Sequence, residues 1–178
     1  MNLTNSPQRF GLVSKLIHWL MALLILSLIA IALYMDTLPR GPEKFQLFDL
    51  HKGLGLIAIA AIAIRIIWHR VSKVPAPIGE GIKLTMAHLG HLALYLLMLA
   101  MPISGMMMSL AGGHDIKFFG LFTIAGFAEK NVMLNELGAS VHHYAGQLLY
   151  VVIAVHVLAA LYHHFILKDD TIKRITSK

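Results

Sequence analysis

The chain contains no cysteine, and this absence limits the chemistry that it can perform. Structural disulfides, iron–sulfur clusters and haem attached through a C-x-x-C-H motif all need cysteine and are therefore excluded. A bound metal would have to be held by histidine, with methionine and carboxylate as weaker ligands. The eleven histidines are thus the first candidates for metal chemistry.

Charged residues are also scarce, at 13%, whereas 57% of the residues are hydrophobic and the mean hydropathy is +0.71. Several apolar runs are about 20 residues long, enough for a helix to cross about 30 Å of hydrocarbon. The sequence therefore predicts an all-α membrane protein, a single-domain antiparallel four-helix bundle over residues 1–178. The predicted helices cover about 16–35, 50–68, 85–110 and 140–167. The apolar stretch 118–127 is too short to span and is expected to be an interfacial segment.

The basic residues are distributed unequally between the two ends of the predicted bundle. The end with both termini carries ten Lys and Arg against three acids, and the other end carries five against six. Because Lys and Arg accumulate on the cytoplasmic side, both termini are expected in the cytoplasm, with the bundle surrounded by membrane lipid. Topology accounts for the net charge of +6, so nucleic acid is not an expected partner.

The last apolar stretch, residues 140–164, carries five histidines, and ionisable residues inside a membrane indicate a functional site. His142 and His156 are 14 residues apart, which returns to within about 40° of the same helix face and separates them by about 21 Å. This spacing favours two metal centres at two depths.

Two further histidines complete these centres. His18 is expected at the cytoplasmic level of His156, and His51 at the outer level of His142. A haem needs room beside its ligand, and each of these histidines has a small residue four positions later on the same face: Ala22, Gly55, Gly146 and Ala160. A histidine at a helix entry can also be a polar interfacial residue, but the four together favour two haems with histidine on both axial positions.

Other polar residues are predicted near the cytoplasmic centre. Arg65 follows His51 by 14 residues, so it is expected either to contact a haem propionate or to extend to the lipid headgroups. His88 and His91 share a helix face and are rival ligands or neighbours of a propionate or quinone. His163 and His164 are expected at the cytoplasmic interface, as possible contacts of the same groups.

Four motifs carry a resemblance to a known family. IHWL (residues 17–20), His51 with Lys52 and Gly53, AHLGHL (87–92) and HVLAALYHHFILKD (156–169) are similar to motifs of the bacterial cytochrome b561 family. The resemblance implies a multi-pass protein of the bacterial inner membrane with two non-covalent haems b. It places His18 and His156 on the cytoplasmic haem and His51 and His142 on the outer one.

The resemblance also implies a function. Iron with two axial histidines has no open position, which favours outer-sphere electron transfer between a periplasmic donor or acceptor and ubiquinone or another quinone. One branch of the family resembles a superoxide–ubiquinone oxidoreductase, and Lys52 is placed to attract that anion to the outer haem. The alternatives are a histidine-rich transition-metal transporter, although no acid lies within the apolar spans, and a membrane subunit without redox activity.

Overall fold

The four predicted membrane helices are present in the structure, a computed structural model that describes residues 2–176. They are α1 (Leu12–Thr37), α2 (Pro42–Val71), α3 (Gly81–Ala111) and α4 (Val132–Tyr162). Each helix is long and apolar enough to cross a membrane, which confirms the predicted fold class. A π-helical turn (His163–Leu167) extends α4, and the short helix α5 (Lys173–Thr176) follows. Lys178, one of the basic residues assigned to the cytoplasmic side, lies outside the described residues.

All four helices begin earlier than the apolar runs predict, and the difference is largest for α2, which begins at residue 42, and α4, which begins at residue 132. Hydropathy marks only the part of a helix that lies in hydrocarbon, whereas these first turns are more polar. Pro42 stands at the first position of α2, where a missing N–H costs nothing, and Glu43 complements the helix dipole. Asn131 caps α4 by accepting a bond from the Leu134 N–H at 3.0 Å. The predicted connections 36–49 and 111–139 are therefore partly helical.

Contacts between side chains show that successive helices run in opposite directions. His18, near the start of α1, meets Arg65, near the end of α2, and Arg65 also meets Tyr95 of α3. His156, near the end of α4, lies beside His18. These residues share one end of the bundle, which we name the terminus side. The opposite end, where α1 joins α2 and α3 leads to α4, is the loop side.

Large apolar side chains point outward along the helices. Leu23, Leu26, Ile64, Leu96 and Val155 are all more than half exposed. Such a surface would be unfavourable in water but suits hydrocarbon. The buried apolar core is small by comparison, so the outer face of the bundle is suited to lipid and its interior is left for polar side chains.

The stretch that was expected to be interfacial forms a β-hairpin. Strands β1 (Ile116–Phe118) and β2 (Phe122–Ile124) pair antiparallel, and Phe119 and Gly120 between them have φ of 48° and 78°. The hairpin packs on α2, because a Cβ built on Gly53 would lie 3.1 Å from the Phe119 ring. The sequence did not indicate strands here, since each is only three residues long.

The C-terminal segment crosses the terminus side of the bundle. The Trp19 indole donates to the Ile175 carbonyl at 3.3 Å, and the Phe10 N–H donates to the Arg174 carbonyl at 3.3 Å. The Arg174 guanidinium donates to the Ala76 carbonyl at 2.7 Å. The segment therefore ties α1 to the connection between α2 and α3.

Candidate metal centres

The four histidines singled out by spacing meet as two pairs inside the bundle. The rings of His18 and His156 have their centres 6.4 Å apart on the terminus side, and we name them the terminus-side pair. The rings of His51 and His142 also have their centres 6.4 Å apart, on the loop side, and form the loop-side pair. Each pair joins the first half of the bundle to α4.

The separation within each pair is the one that a single shared metal ion requires. A metal–imidazole bond is about 2 Å long and a ring centre lies about 1.1 Å beyond its nitrogen, so two imidazoles on opposite sides of one ion have centres about 6.3 Å apart. The two measured values of 6.4 Å match this figure at both levels. The residues present therefore fit a metal held between two axial histidines, although ligation itself stays a prediction.

Space beside the ligands differs between the two predicted clearance glycines. A Cβ built on Gly55, one turn from His51, would meet no atom within 4 Å, so this face can accept a flat macrocycle. A Cβ on Gly146, one turn from His142, would touch the Met101 side chain at 3.4 Å. Gly146 therefore also serves packing of α3 against α4.

The second nitrogen of His142 is fixed by α3. Its Nδ1 lies 2.8 Å from the Met101 carbonyl and 3.2 Å from Ser104 Oγ. A carbonyl only accepts, so Nδ1 carries the proton and Nε2 is left as a metal ligand, the arrangement usual for histidine in metal sites. Gly105 gives the ring its room, because a Cβ there would lie 3.0 Å from His142 Cε1. The sequence did not reveal these three residues, since their role depends on the packing of α3 against α4.

His51 has a different environment. The Leu28 carbonyl lies beside its ring, but Nδ1 is buried and has no hydrogen-bond partner among the described residues. The neighbouring Lys52 does not extend freely into solvent: its Nζ donates to the Asp115 carbonyl at 2.6 Å and lies 3.8 Å from an Asp49 carboxylate oxygen. The cation proposed to attract an anion is thus partly neutralised by Asp49.

Arg65 points into the bundle and does not extend outward to the headgroups. Its Nε donates to the Tyr95 hydroxyl at 2.9 Å, and its Nη1 lies 3.4 Å from His18 Nδ1. The same hydroxyl is 2.9 Å from Nδ1 of His69, in the last turn of α2. Sequence spacing brought out Arg65 but not Tyr95 or His69. Tyr95 belongs to another helix, and His69, although four residues after Arg65 on the same face, lies just beyond residue 68, where the predicted second helix ends.

The remaining predicted residues differ in their distance from the terminus-side pair. His88 and His91 are both exposed, but the ring centre of His91 lies 5.9 Å from that of His156, so His91 remains a neighbour or rival ligand there. His164 Nδ1 is buried and has no partner among residues 2–176.

His163 is held by the turn that follows it. Lys168 adopts a left-handed conformation with φ 55°, and this brings Asp169 Oδ2 to 2.5 Å from His163 Nδ1. Partial burial acts to raise the pKa of Asp169, but hydrogen bonds from Thr171 and His163 outweigh it and lower that pKa. The carboxylate is therefore ionised near neutral pH and orients the His163 ring, leaving Nε2 as the proton-exchanging atom.

Within residues 2–176, no set of three His, Cys, Asp or Glu side chains is arranged to hold a metal ion. The histidines meet as pairs, which suits a metal whose other ligands come from a macrocycle.

Known proteins resemble this chain over nearly its whole length. The family model described as prokaryotic cytochrome b561 matches residues 9–178. The chain is 37% identical to cytochrome b561 homolog 2 of Escherichia coli (strain K12), over all of this chain and 96% of that protein. It is 30% identical to cytochrome b561 homolog 1 of the same organism, over 94% of this chain and 96% of that protein.

A third relative carries a more specific name. The chain is 31% identical to the probable superoxide oxidase CybB of Yersinia pestis, over 91% of this chain and 92% of that protein. These matches extend over nearly the whole sequence. Residues 2–176 contain four helices that are long and apolar enough to cross a membrane. The chain belongs to the prokaryotic cytochrome b561 family of multi-pass membrane proteins, a family that implies haem b and electron transfer.

Proposed function

We propose that the chain holds two haems b and carries electrons across the bundle between a partner on the loop side and a quinone on the terminus side. The observation that carries this proposal is the equal 6.4 Å separation of the two histidine pairs. His18 and His156 would hold one haem, and His51 and His142 the other. Haem b supplies a one-electron redox centre, and the measurement that tests the proposal is the haem content of purified protein, expected at two per chain.

The proposed pathway is straight. α4 carries one ligand of each centre, and the 14 residues between His142 and His156 correspond to about 21 Å along the helix. Both ligand positions of each metal would be filled by histidine, so a substrate could not bind to the iron. The role of the protein is then to hold the two centres in line and to exclude water between them.

The orientation that we propose places the terminus side in the cytoplasm of an inner-membrane protein, because the basic residues collect there. An alkaline phosphatase moiety fused after the last residue should therefore be inactive in intact cells, and a green fluorescent protein in the same place should be fluorescent. The matched fusions within the hairpin, at Gly120, should behave in the opposite way. Active phosphatase at the C-terminus would reverse every statement about inside and outside.

Superoxide is the candidate donor that a specific observation favours, since one relative is named a probable superoxide oxidase. Two superoxide anions would give one electron each and become two molecules of O₂. The two electrons, together with two protons from the terminus side, would convert one quinone into a quinol. Charge and atoms balance in this reaction, and the two electrons would pass through the chain one at a time.

The quinone site that we propose lies at the terminus side. His91 is beside the terminus-side pair, and His163 is oriented by Asp169. A histidine fixed at Nδ1 by a carboxylate can deliver a proton from Nε2 to a quinone oxygen. Asp169 was not among the residues that the sequence brought out, because it follows the apolar stretch and contacts His163 only through the left-handed turn at Lys168.

Quinone-dependent oxidation tests this location. Replacing His88, His91, His163 and His164 with asparagine or glutamine should slow the oxidation of reduced protein by ubiquinone-1 in liposomes by about 100-fold or more, the lower end of general acid–base contributions. The matched control is His143→Gln, on the exposed face of α4 at the other side. An unchanged oxidation rate in the fourfold variant, with haem content preserved, would place the quinone elsewhere.

Gly105 provides a second test of the loop-side centre. In Gly105→Ala the added methyl group would lie 3.0 Å from His142 Cε1, so the ring must shift and the loop-side haem should be lost or spectrally altered. Overpacking of this kind costs about 1–3 kcal/mol, or a fall in melting temperature of about 2–4 °C per kcal/mol.

The control for this variant is Gly90→Ala on the same helix, where an added Cβ meets no atom within 4 Å. That variant should keep both haems and gain slightly in stability, since alanine is the better helix former. Equal behaviour of the two variants would show that His142 does not depend on Gly105.

A further inference from the structure

The two histidine pairs differ in the charge that lies beside their ligands. On the terminus side, the Arg65 guanidinium is 3.4 Å from His18 Nδ1 and forms no ion pair with a carboxylate within residues 2–176. Arginine cannot lose its proton in a protein, so this positive charge is permanent. Its Nε bond to the Tyr95 hydroxyl and its position 5.7 Å from the centre of the Tyr95 ring keep it there.

The loop-side pair has the opposite kind of neighbour. His142 Nδ1 donates to the Met101 carbonyl at 2.8 Å, and the carbonyl dipole presents its negative end to the ring. The nearest lysine in sequence, Lys52, is paired with Asp49 and the Asp115 carbonyl. No uncompensated cation therefore contacts this pair among the described residues.

These surroundings act on a bound metal in opposite directions. An imidazole that donates its second N–H to a carbonyl is a stronger ligand and stabilises the oxidised metal. A His18 ring whose Nε2 holds a metal carries its proton on Nδ1, and the Arg65 guanidinium, which has donors only, cannot accept that proton. The guanidinium then acts on the centre by its charge, which stabilises the reduced metal. A unit charge about 8 Å from a redox centre, in an effective dielectric of about 20, changes a one-electron equilibrium by more than tenfold.

We propose that Arg65, acting through His18, gives the terminus-side haem the higher reduction potential, so that electrons pass from the loop side to the terminus side. The inference rests on the proposed function and adds to it the residue that makes the terminus-side centre the better electron acceptor. Arg65 is thus a residue that sets the potential and does not itself accept electrons. Electron transfer toward the quinone is then downhill within the protein: one electron leaves the donor at the loop side, which is oxidised, and reduces the centre beside Arg65.

Potentiometric titration of the visible spectrum tests the proposal. The wild type should show two reduction waves. Arg65→Gln should lower the midpoint potential of the upper wave by at least about 59 mV, which corresponds to a tenfold change in the one-electron equilibrium constant. The lower wave should stay in place. Arg65→Lys keeps the charge and should restore most of the potential, whereas Tyr95→Phe removes only the hydroxyl partner and should have a smaller effect than Arg65→Gln.

Variants that keep one haem assign the waves. The haem that remains in His142→Ala should titrate at the upper potential, and Arg65→Gln should lower that potential. The haem that remains in His18→Ala should titrate at the lower potential, and Arg65→Gln should leave it unchanged. If Arg65→Gln moves the lower wave, moves both equally or moves none, the inference is overturned while two-haem electron transfer stands. If the wild type contains no haem, it is the proposed function that fails.

Discussion

Replacing His142 with alanine should remove one haem from each chain and leave the second one bound. The ring of His142 is one side of a pair whose centres are 6.4 Å apart, and a methyl group cannot reach a metal across that gap. His51→Ala removes the other side of the same pair and should produce the same spectrum as His142→Ala. His18→Ala and His156→Ala should produce a second common spectrum, in which the loop-side haem is the one that remains.

Two neighbouring histidines are matched controls for this result. His143 adjoins His142 but is exposed and bonds to Gln147, so His143→Ala should retain two haems. His91→Ala is the sharper control, because the His91 ring is as close to His156 as the His18 ring is. Retention of both haems in His91→Ala, with loss of one in His18→Ala, would identify His18 as the ligand. The opposite outcome would assign the ligand role to His91.

The helices and the two levels of the histidine pairs could be predicted because both depend on regular spacing. Apolar runs marked the four membrane helices, and the 14 residues between His142 and His156 placed two rings on one face of α4. Periodicity within one helix carries this information without knowledge of the neighbouring helices. The pairing of His18 with His156 then followed from the alternation of helix direction.

Features that depend on contacts between helices could not be predicted in this way. Gly105 matters because α4 places His142 against it, and Tyr95 matters because Arg65 reaches it from α2. Nothing in the spacing of α3 alone distinguishes these residues from other small or aromatic ones. The bond between His163 and Asp169 depends on a left-handed residue, Lys168, and non-glycine residues adopt that conformation too rarely to be predicted.

Oxidised protein mixed with superoxide should be reduced rapidly at low salt, and Lys52→Gln should slow that reduction several-fold. Superoxide is a small anion, and positive charge near its entry raises the association rate by about 10- to 1,000-fold in strongly steered cases. Only charges within about 8 Å contribute at physiological salt, so Lys52, next to His51 and with a side chain 21% exposed, is the cation best placed to act. Stopped-flow absorbance of the haem gives the rate directly.

Asp49 distinguishes superoxide from other donors. Its carboxylate lies 3.8 Å from Lys52 and 3.5 Å from Lys117, and it offsets positive charge that an anionic donor would use. If the donor is an anion, it should reduce Asp49→Asn faster than the wild type, and the wild type faster than Lys52→Gln. All three rates should converge as the salt concentration is raised. A neutral donor would give three similar rates, and a cationic protein donor would reverse the order.

Because the loop side carries six acids against five basic residues, its overall charge does not favour an anion, and an anionic donor would have to depend on the local charge of Lys52. Absence of any reduction by superoxide would exclude it as the donor and leave the order of these three variants as the means of finding the charge of the true one.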